Sequence, residues 1–196
     1  DGLGLISYWD ATNSDLKVTH CDDAACTSAT TSTLDSTGNV GHFSSITIGA
    51  DGLGLISYWD ATNEDLKVAH CDDAACTSAT TSTIDADGDV RWSTPITIGA
   101  DGLGLISYWD ATNSDLKVAH CDDAACTSAT TSTLDSTGDV GTYTSITIGA
   151  DGLGLISYRD ETNIDLKVAH CDNTACTSAT TSTLDSDGNV GFGTSI

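Results

Sequence analysis

The chain repeats itself every fifty residues. Asp1-Gly-Leu-Gly-Leu-Ile-Ser-Tyr-Trp-Asp10 returns at Asp51, Asp101 and Asp151, with Arg159 replacing Trp in the last copy. The 196 residues therefore divide into units 1–50, 51–100, 101–150 and a shorter 151–196 within one repeat domain. The first and third units differ only at positions 19, 39, 42, 43 and 44. A repeat of this length builds stacked supersecondary units, each burying its apolar face on the next. Near-identical units occupy near-identical environments. That argues against the single asymmetric spot a catalytic centre needs, so a structural or multivalent role is expected.

Within a unit the period is that of strands. Ser45-Ile46-Thr47-Ile48-Gly49 alternates apolar and small polar residues, as a half-buried strand does. Asp51-Gly52 marks a tight hairpin, with both residues expected at positive φ. Leu53 to Trp59 reads as a second strand, Asp60 to Asp65 as a turn, Leu66 to Cys71 as a third strand, and the Thr-rich stretch from Cys76 to Asp85 as a fourth. Four short antiparallel strands per fifty residues predict an all-β fold of β-propeller-like blades, with an open superhelical array of the same meanders as the alternative. The first strand of each blade would line the axis and the Thr-rich strand the outside. The chain starts in the phase of a second strand and stops at Thr194-Ser195-Ile196, the beginning of a first strand. That segment is expected to pair beside Leu3-Gly4-Leu5, closing a ring or joining a neighbouring chain. Self-association is expected, strengthened by salt or calcium. With no Met in the chain, Asp1 is not expected to be the translational start.

The eight cysteines fall into four pairs of one spacing: Cys21/Cys26, Cys71/Cys76, Cys121/Cys126 and Cys171/Cys176. Each pair brackets four residues, and a local disulfide across a four-residue hairpin loop fits that spacing better than a metal site or a redox Cys-x-x-Cys. Four disulfides point to an oxidising compartment, hence to a secreted or surface protein. Asp85, Asp87 and Asp89 around Gly88, and Asp185, Asp187 and Asn189 around Gly188, resemble truncated calcium loops and are equally ordinary turn chemistry. No cofactor is otherwise required. His20, His70, His120 and His170 recur on an apolar face and read as packed residues; His42 has no counterpart in the other units. Of each Tyr-Trp pair, one ring must be core; the other either packs as well or, at Trp9, Trp59 and Trp109, offers a sugar-stacking platform.

Charge narrows the partners. With 29 acidic residues against 6 basic ones and a net charge of −23, the chain lacks the cationic clusters that nucleic acid or anionic membranes need. No apolar run approaches a membrane span. Ile-Ser-Tyr-x-Asp, Asp-Leu-Lys-Val-Ala-His-Cys, Cys-Thr-Ser-Ala-Thr and Val-Gly-x-x-x-Ser-Ile together resemble the tandem repeats of secreted bacterial sialidase-like β-propeller proteins. That resemblance implies blades, extracellular placement and carbohydrate or surface binding. It does not extend to an Asp-box, and only Arg91 and Arg159 are present where sialidases use three Arg. The reading at this level is a non-enzymatic extracellular structural repeat protein, a surface, matrix or filament component. The alternative is a multivalent carbohydrate-binding module.

Overall fold

The computed structural model describes residues 2–196. It is all-β and contains four antiparallel meanders. The first sheet runs β1 (Leu5–Asp10), β2 (Asp15–Cys21), β3 (Ala29–Asp35). The second runs β4 (Val40–Ile48), β5 (Gly54–Asp60), β6 (Asp65–Cys71), β7 (Ala79–Asp85). In the third, β8 (Val90–Arg91) and β9 (Ile96–Ile98) both pair with β10 (Gly104–Asp110), followed by β11 (Asp115–Cys121) and β12 (Ala129–Asp135). The fourth runs β13 (Val140–Ile148), β14 (Gly154–Asp160), β15 (Asp165–Cys171), β16 (Ala179–Asp185). No helix among the described residues is long and apolar enough to cross a membrane.

The first hairpin corrects the expected turn. Gly52 takes φ +82 and Asp51 does not appear among the positive-φ residues, while Gly49 N donates to Leu53 O at 2.8 Å. Only one left-handed residue is needed, because the loop has three residues rather than two. Asp51 instead closes the turn with its side chain, accepting from Leu53 N at 3.0 Å and bonding His70 Nε2 at 2.8 Å. The recurring histidines therefore tie a strand to a hairpin instead of sitting between sheets, and His120–Asp101 and His170–Asp151 repeat the pair at 2.8 Å.

Blades pack face to face through one device used three times. In the second, third and fourth blades the tyrosine of the second strand is buried and donates to an aspartate closing the outer strand of the preceding blade: Tyr58 to Asp35 at 2.8 Å, Tyr108 to Asp85 at 2.5 Å, Tyr158 to Asp135 at 2.7 Å. Lys67, Lys117 and Lys167 reach the same carboxylates at 2.5, 2.6 and 2.5 Å. Leu66, Val68, Ile56 and Ala69, all fully buried, and their equivalents fill the space around this lock. Burial alone would push Asp85 up, but Lys117 and Tyr108 hold its carboxyl below the ordinary value. Burial and the adjacent carboxylate raise Tyr108 well above a free phenol.

All four cysteine pairs are disulfides: Cys21–Cys26, Cys71–Cys76, Cys121–Cys126 and Cys171–Cys176, with Cα atoms 4.8–4.9 Å apart. The place of the second cysteine is a correction. Cys26, Cys76, Cys126 and Cys176 neither open the fourth strand nor face their partners across a four-residue hairpin loop. That strand starts three residues later, and Cys21, Cys71, Cys121 and Cys171 pair in the ladder with Ala29, Ala79, Ala129 and Ala179. The backbone explains the difference. Cys26, Cys76, Cys126 and Cys176 sit at φ +53, +53, +52 and +51, a left-handed conformation that a ladder residue does not adopt. Each closes a turn inside the longer loop, its N–H donating to the carbonyl of Asp23, Asp73, Asp123 or Asn173 at 3.0 Å. The aspartate side chain shapes the same loop, as where Asp73 accepts from Ala75 N and Thr77 N at 3.0 and 3.1 Å. Cys76, Cys126 and Cys176 are fully buried, whereas Cys26, in the first sheet, is exposed.

The expected seam is not made within the chain. Among the described residues β1 has β2 as its only ladder partner. Thr194 Oγ1 donates to Tyr143 O at 2.7 Å and Ile196 N to Ser145 Oγ at 3.3 Å. Thr94 and Ile96 make the same bonds to Phe43 O and Ser45 Oγ, at 3.0 and 3.3 Å. The last residues therefore seat on the fourth sheet as a further first strand would, away from Leu3-Gly4-Leu5.

Candidate functional site

Those bonds between successive first strands define the axis, and there the four units stop being alike. Positions 42 to 44 read His42-Phe43-Ser44, Trp92-Ser93-Thr94, Thr142-Tyr143-Thr144 and Phe192-Gly193-Thr194. In β4 the pairing jumps from His42↔Trp59 to Ser45↔Ser57, so Phe43 and Ser44 bulge out of the ladder; β13 does the same around Tyr143. Bulges re-aim side chains and concentrate beside functional sites. Phe43, Trp92 and Tyr143 sit at φ +52, +49 and +54. Left-handed backbone is costly for bulky residues, and it persists where the surroundings impose it.

Position 41 sets how the strand reaches the bulge. Gly41 takes φ +100, and a Cβ there would meet Leu16 Cα at 2.7 Å. Arg91 occupies this place in the second unit, and there the single long strand is replaced by the short pieces β8 and β9. The same position thus gives a continuous inner strand in two blades and an open loop carrying Trp92, Ser93, Thr94 and Pro95 in another.

The outcome is a two-layer aromatic surface. Below lie the partly buried Trp9, Trp59 and Trp109 and the buried Arg159. Above lie the variable rings. Trp9 stacks on His42 with centroids 3.9 Å apart, and Trp92 stacks on Trp109 at 5.1 Å. Phe43 lies 6.2 Å from Trp59, Tyr143 6.3 Å from Trp92, and Phe192 5.6 Å from Tyr143. Arg159 stacks beneath Phe192 at 3.8 Å, so its replacement of Trp keeps a flat group in the lower layer. Phe43, Trp92 and Phe192 are about half exposed, at 50%, 41% and 56%. The tryptophans expected as the platform are thus its support, and rings from the variable positions form its surface.

Between the first strands of three successive blades the surface opens into a cavity of about 240 Å³, lined by Phe43, Ser44, Ser45, Ser93, Thr94, Pro95 and Thr144. In the lower layer Trp9 Nε1 donates to Asn39 Oδ1 at 3.2 Å, and Trp109 faces Asp139 in the same way. Among the described residues, however, Trp59 Nε1, Trp109 Nε1, Asp89 Oδ1 and Asp139 Oδ1 make no hydrogen bond of full geometry. Burial, then the charge of Glu161, raises the Asp139 carboxyl above its ordinary value, although Trp109 draws it down. Glu161 in turn accepts from Thr142 Oγ1 at 3.0 Å and lies 3.0 Å from Arg159 Nε. Burial lowers His42, favouring a neutral ring between Trp9 and Trp59.

The calcium-loop residues point to separate partners. Asp85 is taken by Tyr108 and Lys117, Asp89 pairs with Arg91 Nε at 2.5 Å, and Asn189 accepts from Arg159 at 2.8 Å. Asp185 turns inward only to Asp187 N, at 2.9 Å. Among the described residues no three His, Cys, Asp or Glu side chains converge as a metal site would require.

No protein-family model and no curated protein sequence matches the chain. Solved structures share its fold. A protein of unknown function from Dyadobacter fermentans superposes with a TM-score of 0.63 at 13% identity, over 95% of this chain and 57% of that one. An exo-β-1,3-galactanase from Phanerochaete chrysosporium, solved with β-1,3-galactotriose, gives 0.59 at 11% identity over 94% and 49%. An α-L-arabinofuranosidase from Lactobacillus brevis gives 0.57 at 13% identity over 93% and 69%. This chain spans about half the length of the first two. At such identities the likeness is one of fold, and the fold is that of β-propellers.

These comparisons correct the expectation of a purely structural, non-enzymatic protein, since the propellers it resembles include glycoside hydrolases. The physical reason is visible at the axis. Four copies were expected to leave no asymmetric spot, but they are nearly identical in their outer strands and different where the sheets converge.

Proposed function

We propose that the axial face binds neutral carbohydrate. One observation carries the reading: the half-exposed ring of Phe43, held in a left-handed bulge, walls a cavity whose other lining is Ser, Thr and Pro95, and the half-exposed Trp92 directly precedes the lining segment Ser93-Thr94-Pro95. A sugar presents apolar C–H faces that stack on rings and hydroxyls that both donate and accept, so this pairing of surfaces suits it. A net charge of −23 repels anionic sugars. Of the two arginines, Arg91 is tied to Asp89 and Arg159 lies beneath Phe192, which argues against a sialic-acid carboxylate as the ligand. Extracellular placement belongs to the same proposal and is supported by the four disulfides.

A second reading, hydrolysis of a bound glycoside, is favoured by Asp139. Glu161 N donates to the Asp139 carbonyl at 2.8 Å, which brings two acidic residues together beneath the axial rings. A carboxyl raised by burial and by that neighbour is suited to donate a proton to a leaving oxygen. Here Asp139→Asn should abolish product release while leaving sugar binding in place.

The test is a glycan array probed with the intact chain and with Trp92→Ala. Saturable binding to neutral oligosaccharides, including β-1,3-galactosides and arabinosides, is expected, together with at least a tenfold loss in the variant, the size roughly expected for one stacking ring. An array silent for all neutral glycans would overturn the proposal.

A further inference from the structure

We propose that one hydroxyl of the bound sugar is gripped at a single break in the axial hydrogen bonding, beside Pro95, by Ser107, Thr144 and the backbone of Ile146. This rests on the proposed carbohydrate site and adds the place where that site fixes its ligand. Elsewhere at the axis, successive first strands are joined by three recurring bonds. Thr94 Oγ1 donates to Phe43 O at 3.0 Å, Ser57 Oγ donates to Thr94 O, and Ile96 N donates to Ser45 Oγ at 3.3 Å. Likewise Thr194 Oγ1 donates to Tyr143 O at 2.7 Å, Ser157 Oγ to Thr194 Oγ1 at 2.9 Å, and Ile196 N to Ser145 Oγ at 3.3 Å.

The join between these two departs from the pattern. Pro95 stands where Ser45 and Ser145 stand in their units, so it has no hydroxyl to offer Ile146 N. Thr144 Oγ1 donates to Ser107 O at 3.4 Å rather than to a carbonyl of the preceding first strand. Ser107 Oγ is buried and makes no hydrogen bond among the described residues. The second unit's own sequence accounts for the break. Position 43 is left-handed in every unit, but here the residue before it is left-handed too, with Trp92 and Ser93 at φ +49 and +38.

A buried hydroxyl left unpaired is uncommon and destabilising, and this one is directed at the cavity wall. Ser57 and Ser157 aim their hydroxyls at Thr94 and Thr194, and the same strand position aims Ser107 at Thr144. Thr144 and Pro95 both line the axial cavity of about 240 Å³. A sugar hydroxyl entering beside Pro95 would accept from Ile146 N, as Ser45 and Ser145 do from their amides, and donate to Ser107 Oγ. Water has the same bonding capacity, so it is the competing occupant.

The experiment uses the full chain and two readouts. In thermal melts without sugar, Ser57→Ala removes a bonded hydroxyl and should lower the midpoint by roughly 2–4 °C, whereas Ser107→Ala removes an unpaired one and should keep or raise it. An equal loss in both would overturn the proposal whatever the chain binds. Calorimetric titrations with neutral galactosides and arabinosides, and with their monodeoxy analogues, supply the second readout. One analogue should bind wild type about fivefold or more weaker than its parent sugar. Ser107→Ala should lose about as much toward the parent and bind that same analogue no worse than wild type does, as partners in one bond require. Pro95→Ser, which restores a hydroxyl for Ile146 N, should also weaken the parent. If both variants bind every sugar as wild type does, water alone occupies the place and this proposal falls while sugar binding stands. If wild type binds none of the sugars, both fall.

Discussion

The junctions between blades and the layer at their axis are built from the same repeats and follow opposite rules. At the junctions every unit supplies the same Tyr, Lys and Asp, and the three copies of the lock agree to within a few tenths of an ångström. At the axis no two units carry the same residues at positions 42 and 43, and the inner strand is continuous in two blades and broken in another. Repetition thus carries the scaffold, and departures from repetition carry the aromatic surface at the axis. A fold made of copies can hold an asymmetric site because the copies converge on one line, where a few substitutions produce a set of different neighbours.

The largest expected effect breaks the junction side of this comparison. Lys117→Met removes the ammonium from a carboxylate that is 5% exposed and should destabilise the chain by about 3 kcal/mol, the cost of leaving a buried charge unpaired. Lys17→Met changes the same position of the repeat where only the surface pair with Asp10 is lost, and it should scarcely move the melting temperature. Equal effects from the two variants would show that the lock is not what holds the blades together.

A pH series examines the same lock without mutation. Lys117 and Tyr108 hold Asp85 below its ordinary 3.8, so its contribution is present above that pH and is lost as pH falls through the lower folded value. Tyr108 is raised above its ordinary 10.0, so its contribution is present below that pH and is lost as pH rises beyond it. Denaturation midpoints should therefore be flat from about pH 7, above the ordinary 6.5 of the partly buried His42, to about pH 10, with the lock's contribution lost below about pH 4 and above about pH 10. A steady slope over the flat range would contradict the assignment.

The smallest stability effect belongs to the axis. Phe43→Ala and Trp92→Ala remove half-exposed rings from strained backbone, and each should change stability by no more than about 0.5 kcal/mol. Denaturant melts that show a loss of several kcal/mol would place these rings in the core instead.

Much of the scaffold was legible in the sequence because alternation, turn residues and a fifty-residue period are local signals. The strands, the blade order and the cysteine partners follow from them. The loop that holds Cys26, Cys76, Cys126 and Cys176 was not legible, because a left-handed cysteine leaves no mark in the spacing. Nor was the lock, since Tyr58, Lys67 and Asp35 lie in two units and on three strands, and each alone reads as a core ring or a solvated charge. The site was half legible. Trp9, Trp59 and Trp109 stood out as aromatic residues, but the rings above them were overlooked because Phe43, Trp92, Tyr143 and Phe192 share no motif. His42 was set aside because it has no counterpart. The signal was present in another form: when two units differ at only five positions and three are consecutive, the run of differences marks the place under separate demand.

The proposed sugar binding is assigned to the varied axial rings and not to the repeated sheets. Calorimetric titration of the intact chain with the strongest neutral oligosaccharide from the array tests it, set beside Phe43→Ala/Trp92→Ala and the sheet variant Ile6→Lys. The axial double variant should lose at least about tenfold in affinity with its melting profile unchanged, while Ile6→Lys binds as wild type. Undiminished binding by the double variant would contradict the claim.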